Sequence, residues 1–194
     1  MGEAPEERRN WISRTINALL SHKEDAEPTG TPDEMIDEAA RRAFKLSTAL
    51  GLIPGPIGMA TILPEVAALT RLQINLIKRI ARHHHKEEQA SAEIILLILG
   101  NVLGVAAGET LVRRMGTALV MRSVNARVVK RIAGAVGTRI VNRAAERAAA
   151  RWIPVVTAPL FGYMSRSLTR KIGREAERLF SLEMIVEPSG GAVG

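Results

Sequence analysis

The chain has no cysteine. That excludes disulfides, thiolate zinc sites and cysteine nucleophiles, and gives no sign of an oxidising compartment. Aromatic residues are scarce, at 3% of the chain, with one Tyr, three Phe and two Trp. These are too few to build stacking platforms for single-stranded nucleic acid, and no DNA- or RNA-binding motif is present. Ala, Leu, Ile, Val and Gly must fill the core, which suits closely packed helices rather than a sheet. Catalytic signatures are missing as well. There is no phosphate loop, no nucleotide-binding glycine fingerprint after a strand and no nucleophile elbow. The glycine-rich stretch 51–58 has no strand before it and no Lys-Ser/Thr after it. Three of the four histidines, His83, His84 and His85, are consecutive, and His22 lies in a linker. Adjacent helical side chains point about 100° apart, so a consecutive run does not converge on one ion. It reads as a solvated helix end, where histidine suits the C-terminal dipole. The expectation is a protein that is not an enzyme, with no catalytic residues, no cofactor and no metal. Residues 1–10 are polar and rich in Glu and Arg rather than signal-like, which places the chain in the cytoplasm or on a membrane face looking onto it.

What the chain does have is a long uncharged stretch, 46–64, bounded by Lys45 and Glu65. Its 19 residues approach the length of a membrane span. Pro54, Pro56 and Pro64, with Gly51, Gly55 and Gly58, divide it into two helices with a tight connection. So apolar a hairpin must be buried, in a protein core or in lipid, and the remaining helices are the simplest cover.

The other elements follow from periodicity and caps. Residues 6–20 read as a short amphipathic helix through Trp11, Ile12, Ile16, Leu19 and Leu20, with Trp11 either an interfacial anchor or docked on the body. A polar linker ends in Pro28-Thr29-Gly30. Thr31, Pro32 and Glu34 then predict a capped helix start and a helix to about residue 50. The next helix is expected from near Ile57 to about His83, with a kink at Pro64. Val66, Leu69, Leu72, Leu76, Ile77 and Ile80 form its apolar stripe. Glu65 and Gln73 fall near that stripe, so this carboxylate and amide need buried partners. Either they hydrogen-bond to a neighbouring helix or they mark a ligand site. Residues 90–108 predict another apolar helix. In it Gly100, Gly104 and Gly108 recur every four residues, a face for close helix packing. Residues 109–121 are expected as a short helix or a continuation of that one. Residues 122–151 predict a basic helix, and Trp152-Ile153-Pro154 a break. An apolar stretch to Met164 then leads to a last basic helix, 165–180. Three segments result: an acidic, amphipathic arm and linker at 1–30, a helical domain at 31–182 and a flexible tail at 183–194.

Charge is unevenly spread. The net charge is +7 overall, but residues 1–40 carry −6 and residues 41–194 carry +13. Either the acidic arm folds back on a basic body, or it is a solvated tail and the body meets an anionic partner. Arg127, Arg131, Arg139, Arg143, Arg147 and Arg151 are separated by multiples of four. With Lys130, Arg170, Lys171 and Arg174 they form the candidate contact with an anionic surface or lipid. Nucleic acid needs only positive charge for its phosphates, yet the missing aromatics and motifs disfavour it. A membrane surface fits better, because basic faces attract anionic lipid and apolar helices supply insertion area.

Two stretches resemble a known family. IPGPIGMATILPEVAALTRLQINLIKRIA, with its Gly/Pro turn, Pro64-Glu65, Gln73 and Ile80-Ala81, is similar to the central region of the EcsC family. WIPVVTAPLFGYMSRSLTRKIGREAERLF resembles that family's closing segment through Ile153-Pro154-Val155-Val156, Gly162, Ile172-Gly173, Ala176 and Phe180. A related helical domain is attached to YcjF-type bacterial GTPases. The likeness spans about residues 33–181 and departs at His84-His85, Thr157 and Ser165. It implies a bacterial, all-helical, membrane-associated protein without catalytic residues to carry over. The expected fold is a single compact all-α bundle of about six to seven helices with Gly/Pro-broken apolar hairpins. The expected function is that of a membrane-associated accessory or regulatory protein, peripheral on the cytoplasmic face of the bacterial inner membrane. Its partner would be anionic lipid or a membrane protein. The alternatives are a soluble cytoplasmic module that forms a homo-oligomer or binds a partner helix, and re-entrant insertion of 46–64 and 94–108.

Overall fold

The computed structural model describes residues 18, 28–53, 55–105, 112–115, 118–122, 126–150 and 154–187; at 55, 56, 59, 126–128, 148–150 and 154–156 and in the strands this is the backbone alone. The order is α1 (Pro32–Gly51), α2 (Gly55–Ala60), α3 (Ile62–His83), a 3-10 turn (Glu87–Gln89), α4 (Ala92–Leu103), β1 (Val112–Met115), β2 (Ala118–Arg122), α5 (Ala126–Ala150), α6 (Pro154–Phe180) and β3 (Glu183–Glu187). The body is a compact all-helical bundle of five long helices, α2 being a six-residue piece of the connection between α1 and α3.

Local chemistry explains the boundaries. Thr31 accepts from the Glu34 amide at 3.3 Å, and the Glu34 carboxylate accepts from the Thr31 amide at 2.8 Å. This reciprocal box, with Pro32 in the first turn, starts α1 as expected. Pro64 does not kink α3. It lies in that helix's first turn, where a missing N–H has no intrahelical partner to lose. The break falls instead at Thr61, whose hydroxyl donates to the Gly58 carbonyl at 2.8 Å.

Three sequence expectations are corrected. First, the apolar stretch to Met164 and the last helix expected at 165–180 are one helix, because α6 runs unbroken over 27 residues. The expected break does separate α5, ending at Ala150, from α6, beginning at Pro154. Pro154 sits at its first position, where proline is tolerated. Second, α4 ends at Leu103, and Gly104 takes a left-handed conformation with φ of 71°. The Val105 amide returns to the Gly100 carbonyl at 2.8 Å, a glycine helix stop. Gly104 is therefore a terminator rather than part of a packing face. Third, 112–115 and 118–122 are paired as strands rather than helical. β1 runs antiparallel to β2, and β2 pairs in parallel with β3. The order is β1-β2-β3. Among the described residues the main contacts of these strands are with one another. The arm at 6–20 and the tail beyond residue 187 lie outside the described residues.

The core joins all five long helices. Met35 and Ile36 of α1, Ile74, Ile77 and Ile80 of α3, residues 94–99 of α4, Ile132 and Val136 of α5, and Ile172 and Phe180 of α6 are buried together. The most extensive pairing is α1 with α6, and it is antiparallel. Gly51 lies against Ala158, Gly162 against Thr48 and Phe44, and Gly173 against Ile36. Ala158, Gly162, Ser165, Thr169, Gly173 and Ala176 are spaced 4, 3, 4, 4 and 3 apart. They form a stripe of small residues that lets α1 approach closely. Among the described residues no helix is long and apolar enough to cross a membrane. The twelve residues of α4 span only about 18 Å at 1.5 Å per residue.

Candidate functional site

Four helices meet at one carboxylate. Glu65 of α3 is 1% exposed. It accepts from the Ser47 hydroxyl of α1 at 2.8 Å and from Nη1 of Arg147, on α5, at 2.6 Å. The other guanidinium nitrogen of Arg147 donates to Ser165 of α6 at 2.7 Å. The Arg147 guanidinium also lies 5.5 Å from the centre of the Phe161 ring, within cation–π range. Burying a carboxylate is costly unless it is paired and hydrogen-bonded, and this arrangement supplies both. Two turns further along α3, Gln73 donates to Thr169 of α6 at 3.3 Å. Glu65 and Gln73 are both buried, as expected of a carboxylate and an amide near an apolar stripe, and each has its own partner on a neighbouring helix.

The candidate cations divide into three groups. Arg147 is turned inward, with its side chain 13% exposed and joined to Glu65. Arg170 is held at home too, its Nε and Nη2 donating to Asp37 at 3.0 and 2.7 Å. Those hydrogen bonds, opposed by desolvation and helped by the nearby charges of Arg170, Arg41 and Arg166, hold the Asp37 carboxyl below its ordinary range. The expectation of a free outward stripe is thus corrected at Arg147 and Arg170, both neutralised by the protein's own acids. Lys130, Arg131, Arg139, Lys171 and Arg174 are exposed, and Arg143 is half-buried. None of these six has an ion-pair partner among the described residues. Arg151 lies outside the described residues, as does the side chain of Arg127.

The glycines change roles. Gly100 is buried, and an added Cβ would meet only ordinary contact distances, 3.7 Å from Val136 and 3.8 Å from Val105. Around Gly104 the space is open. Gly108 lies outside the described residues. The close approaches belong to Gly51, Gly162 and Gly173. The histidines diverge: His84 meets Glu177 of α6 at 2.9 Å, His83 is exposed, and His85 forms the turn with φ of 56°. Among the described residues no cluster of His, Asp or Glu could hold a metal ion.

Two features escaped the sequence reading. One is an apolar end. Leu52, Ile57 and Leu63, on the connection from α1 to α3, are exposed, Ile57 to 73%. Leu160, Tyr163 and Met164 of α6 are exposed as well, Tyr163 to 65%. Because Ala158 lies against Gly51 and Gly162 against Thr48, these six residues share one end of the bundle. The spacing of Leu160, Tyr163 and Met164, three then one, was the available signal. It lies opposite the small stripe, so both faces of α6 are apolar there. The other feature is a cleft of about 270 Å³ between α5 and α6, walled by Val102, Phe161, Met164 and Leu168, with Arg143 and Lys171 at its sides. No family model, curated protein or solved structure matches the chain.

Proposed function

We propose that the protein is a non-enzymatic, EcsC-type accessory protein that attaches peripherally to the cytoplasmic face of an anionic membrane, with its apolar end inserted. The observation that carries this reading is the gathering of Leu52, Ile57, Leu63, Leu160, Tyr163 and Met164 in water-exposed positions at one end of an otherwise well-buried bundle. Large apolar patches on a soluble surface mark contact with a membrane or another protein. Lys45 and Arg71 are exposed and lie seven residues from Leu52 and eight from Leu63, about 10–12 Å along their helices. They flank the end with positive charge, the pattern of an interfacial anchor.

Co-sedimentation with vesicles tests this. Vesicles containing phosphatidylglycerol should pull the protein down at low salt, neutral phosphatidylcholine vesicles much less, and Ile57→Ser with Leu63→Ser should abolish the difference. Equal recovery from both vesicle types, unchanged in those variants, would overturn the reading. A clean, detergent-free oligomer by light scattering that dissociates on Ile57→Ser would assign the same end to self-association.

A further inference from the structure

The cleft between α5 and α6 continues inward. A recess of about 50 Å³ lies behind it and shares Arg143, Arg147 and Leu168 as walls. The recess otherwise mixes Leu69, Leu99 and Leu103 with the polar Thr70, Gln73 and Ser165. The outer cleft is small beside the 300–1,000 Å³ usual for a drug-sized ligand, and the recess is narrower still. Of the two aromatic residues that line the outer cleft, Phe161 already faces the Arg147 guanidinium and Tyr163 is largely turned to solvent. Arg143 and Lys171, without ion-pair partners among the described residues, flank the outer cleft beside the apolar walls of Val102, Met164 and Leu168. Glu146 also lines the outer cleft, which leaves the two cations in excess of one acid. Arg147 is held by Glu65 and Ser165 and serves as a fixed wall.

From this pairing of two cations with apolar walls we infer a binding site for a single-chain anionic amphiphile, an acyl chain lying between α5 and α6 with its carboxylate or phosphate head at Arg143 and Lys171. This goes beyond the attachment reading: the site lies between two helices and shares Tyr163 and Met164 with the apolar end, but neither Ile57 nor Leu63 lines it. Charge complementarity selects the head, since Arg offers a forked pair of donors to an oxyanion and Lys a point charge. The width of the recess selects one chain over two.

Calorimetric titration below the critical micelle concentration tests it, with dodecanoate, dodecyl phosphate, dodecanol and inorganic phosphate as probes. Dodecanoate and dodecyl phosphate should each bind at one site, at least tenfold tighter than dodecanol. Inorganic phosphate should bind at least a hundredfold more weakly than dodecyl phosphate. Arg143→Gln with Lys171→Gln should weaken dodecanoate at least tenfold. Leu168→Trp, filling the wall common to cleft and recess, should abolish binding. Ser167→Trp at the outer cleft does the same without touching the core, should Leu168→Trp fail to fold. Dodecanol binding as tightly as dodecanoate, an unchanged Kd in the Gln variant, inorganic phosphate matching dodecyl phosphate, or no binding by the wild type would each overturn the inference. Ile57→Ser with Leu63→Ser should leave dodecanoate binding intact. Failure of the amphiphile site and failure of vesicle attachment are therefore read separately.

Discussion

Arg147 donates to Glu65 at 2.6 Å, across 82 residues of sequence, where the carboxylate is almost wholly out of water. The contact ties α5 to α3, and through Ser47 and Ser165 it reaches α1 and α6 as well. A buried pair of this kind is asymmetric in its energetics. Losing one partner strands the other charge, whereas losing both leaves only a packing problem.

The first prediction follows from that asymmetry. Glu65→Leu and Arg147→Leu should each lower unfolding stability by about 3–5 kcal/mol, as for other broken buried pairs. Glu65→Leu with Arg147→Leu should recover most of the loss. Urea denaturation of the four proteins closes the cycle. Losses that simply add would mean the two side chains are not coupled.

Both halves of this contact were visible as anomalies in the sequence, but only one was read correctly. Glu65 falls on the apolar stripe of α3, so its need for a partner follows from helical periodicity alone. Arg147 belongs to a row spaced by four, and a row of arginines on a slim apolar helix reads as a solvated face. Periodicity fixes which residues share a face; it does not say which turn of the face a neighbouring helix covers. The same limit applies to the glycines. Gly100, Gly104 and Gly108 look like a packing face by spacing, yet the close approach is made by Gly162 and Gly173, spaced by eleven within a mixed stripe of Ala, Ser and Thr. The strands were missed for a different reason. The parallel pairing of β2 with β3 joins Ala118 to Glu183, a non-local contact with no local signature, and Arg113 and Arg114 interrupt the alternation of β1. The capping box at Thr31 and Glu34, in contrast, is wholly local and was readable from four residues.

The glycines supply a second prediction with opposite signs. At Gly162 an added Cβ would run into the Thr48 hydroxyl and come within 3.0 Å of the Phe44 ring. Gly162→Ala should therefore cost about 1–3 kcal/mol by overpacking. Gly134 lies within α5 with nothing within 4 Å of an added Cβ. Gly134→Ala should raise stability by about 0.5–1 kcal/mol through backbone entropy and helix propensity. Thermal melts of the two variants should move in opposite directions; a shared sign would place one of the glycines wrongly.

Acid should loosen the pairing of α1 with α6 at one point. The Asp37 carboxyl is held below its ordinary range, chiefly by its hydrogen bonds to Arg170. A carboxyl depressed in the folded state contributes stability above its unfolded value of about 3.9, and that contribution fades as pH falls through the lower folded value. Asp37→Asn should lower the melting temperature slightly at pH 6 and hardly at all at pH 2.5. The effect is small because the pair is accessible to solvent. A difference that grows on acidification would assign the acid sensitivity elsewhere.

The last prediction separates attachment by the apolar end from attachment by the basic face of α5. Lys130, Arg131 and Arg139 are exposed. Yet Arg147, near the apolar end, is eight residues beyond Arg139 and sixteen beyond Arg131, about 12 and 24 Å along the helix axis. At 0.1 M salt the screening length is about 10 Å, so most of their attraction to a surface touched by that end is lost. Lys45→Gln with Arg71→Gln removes two charges about one screening length from Leu52 and Leu63, each worth at most about 1 kcal/mol against anionic lipid. That predicts a weakening of vesicle binding by at most roughly thirtyfold for the pair. Neutralising Lys130, Arg131 and Arg139 together should weaken it less than threefold at the same salt, with a larger effect only near 0.01 M, where screening reaches about 30 Å. Were the ranking reversed at 0.1 M, the face of α5 would be lying against the membrane and the apolar end would need another occupant.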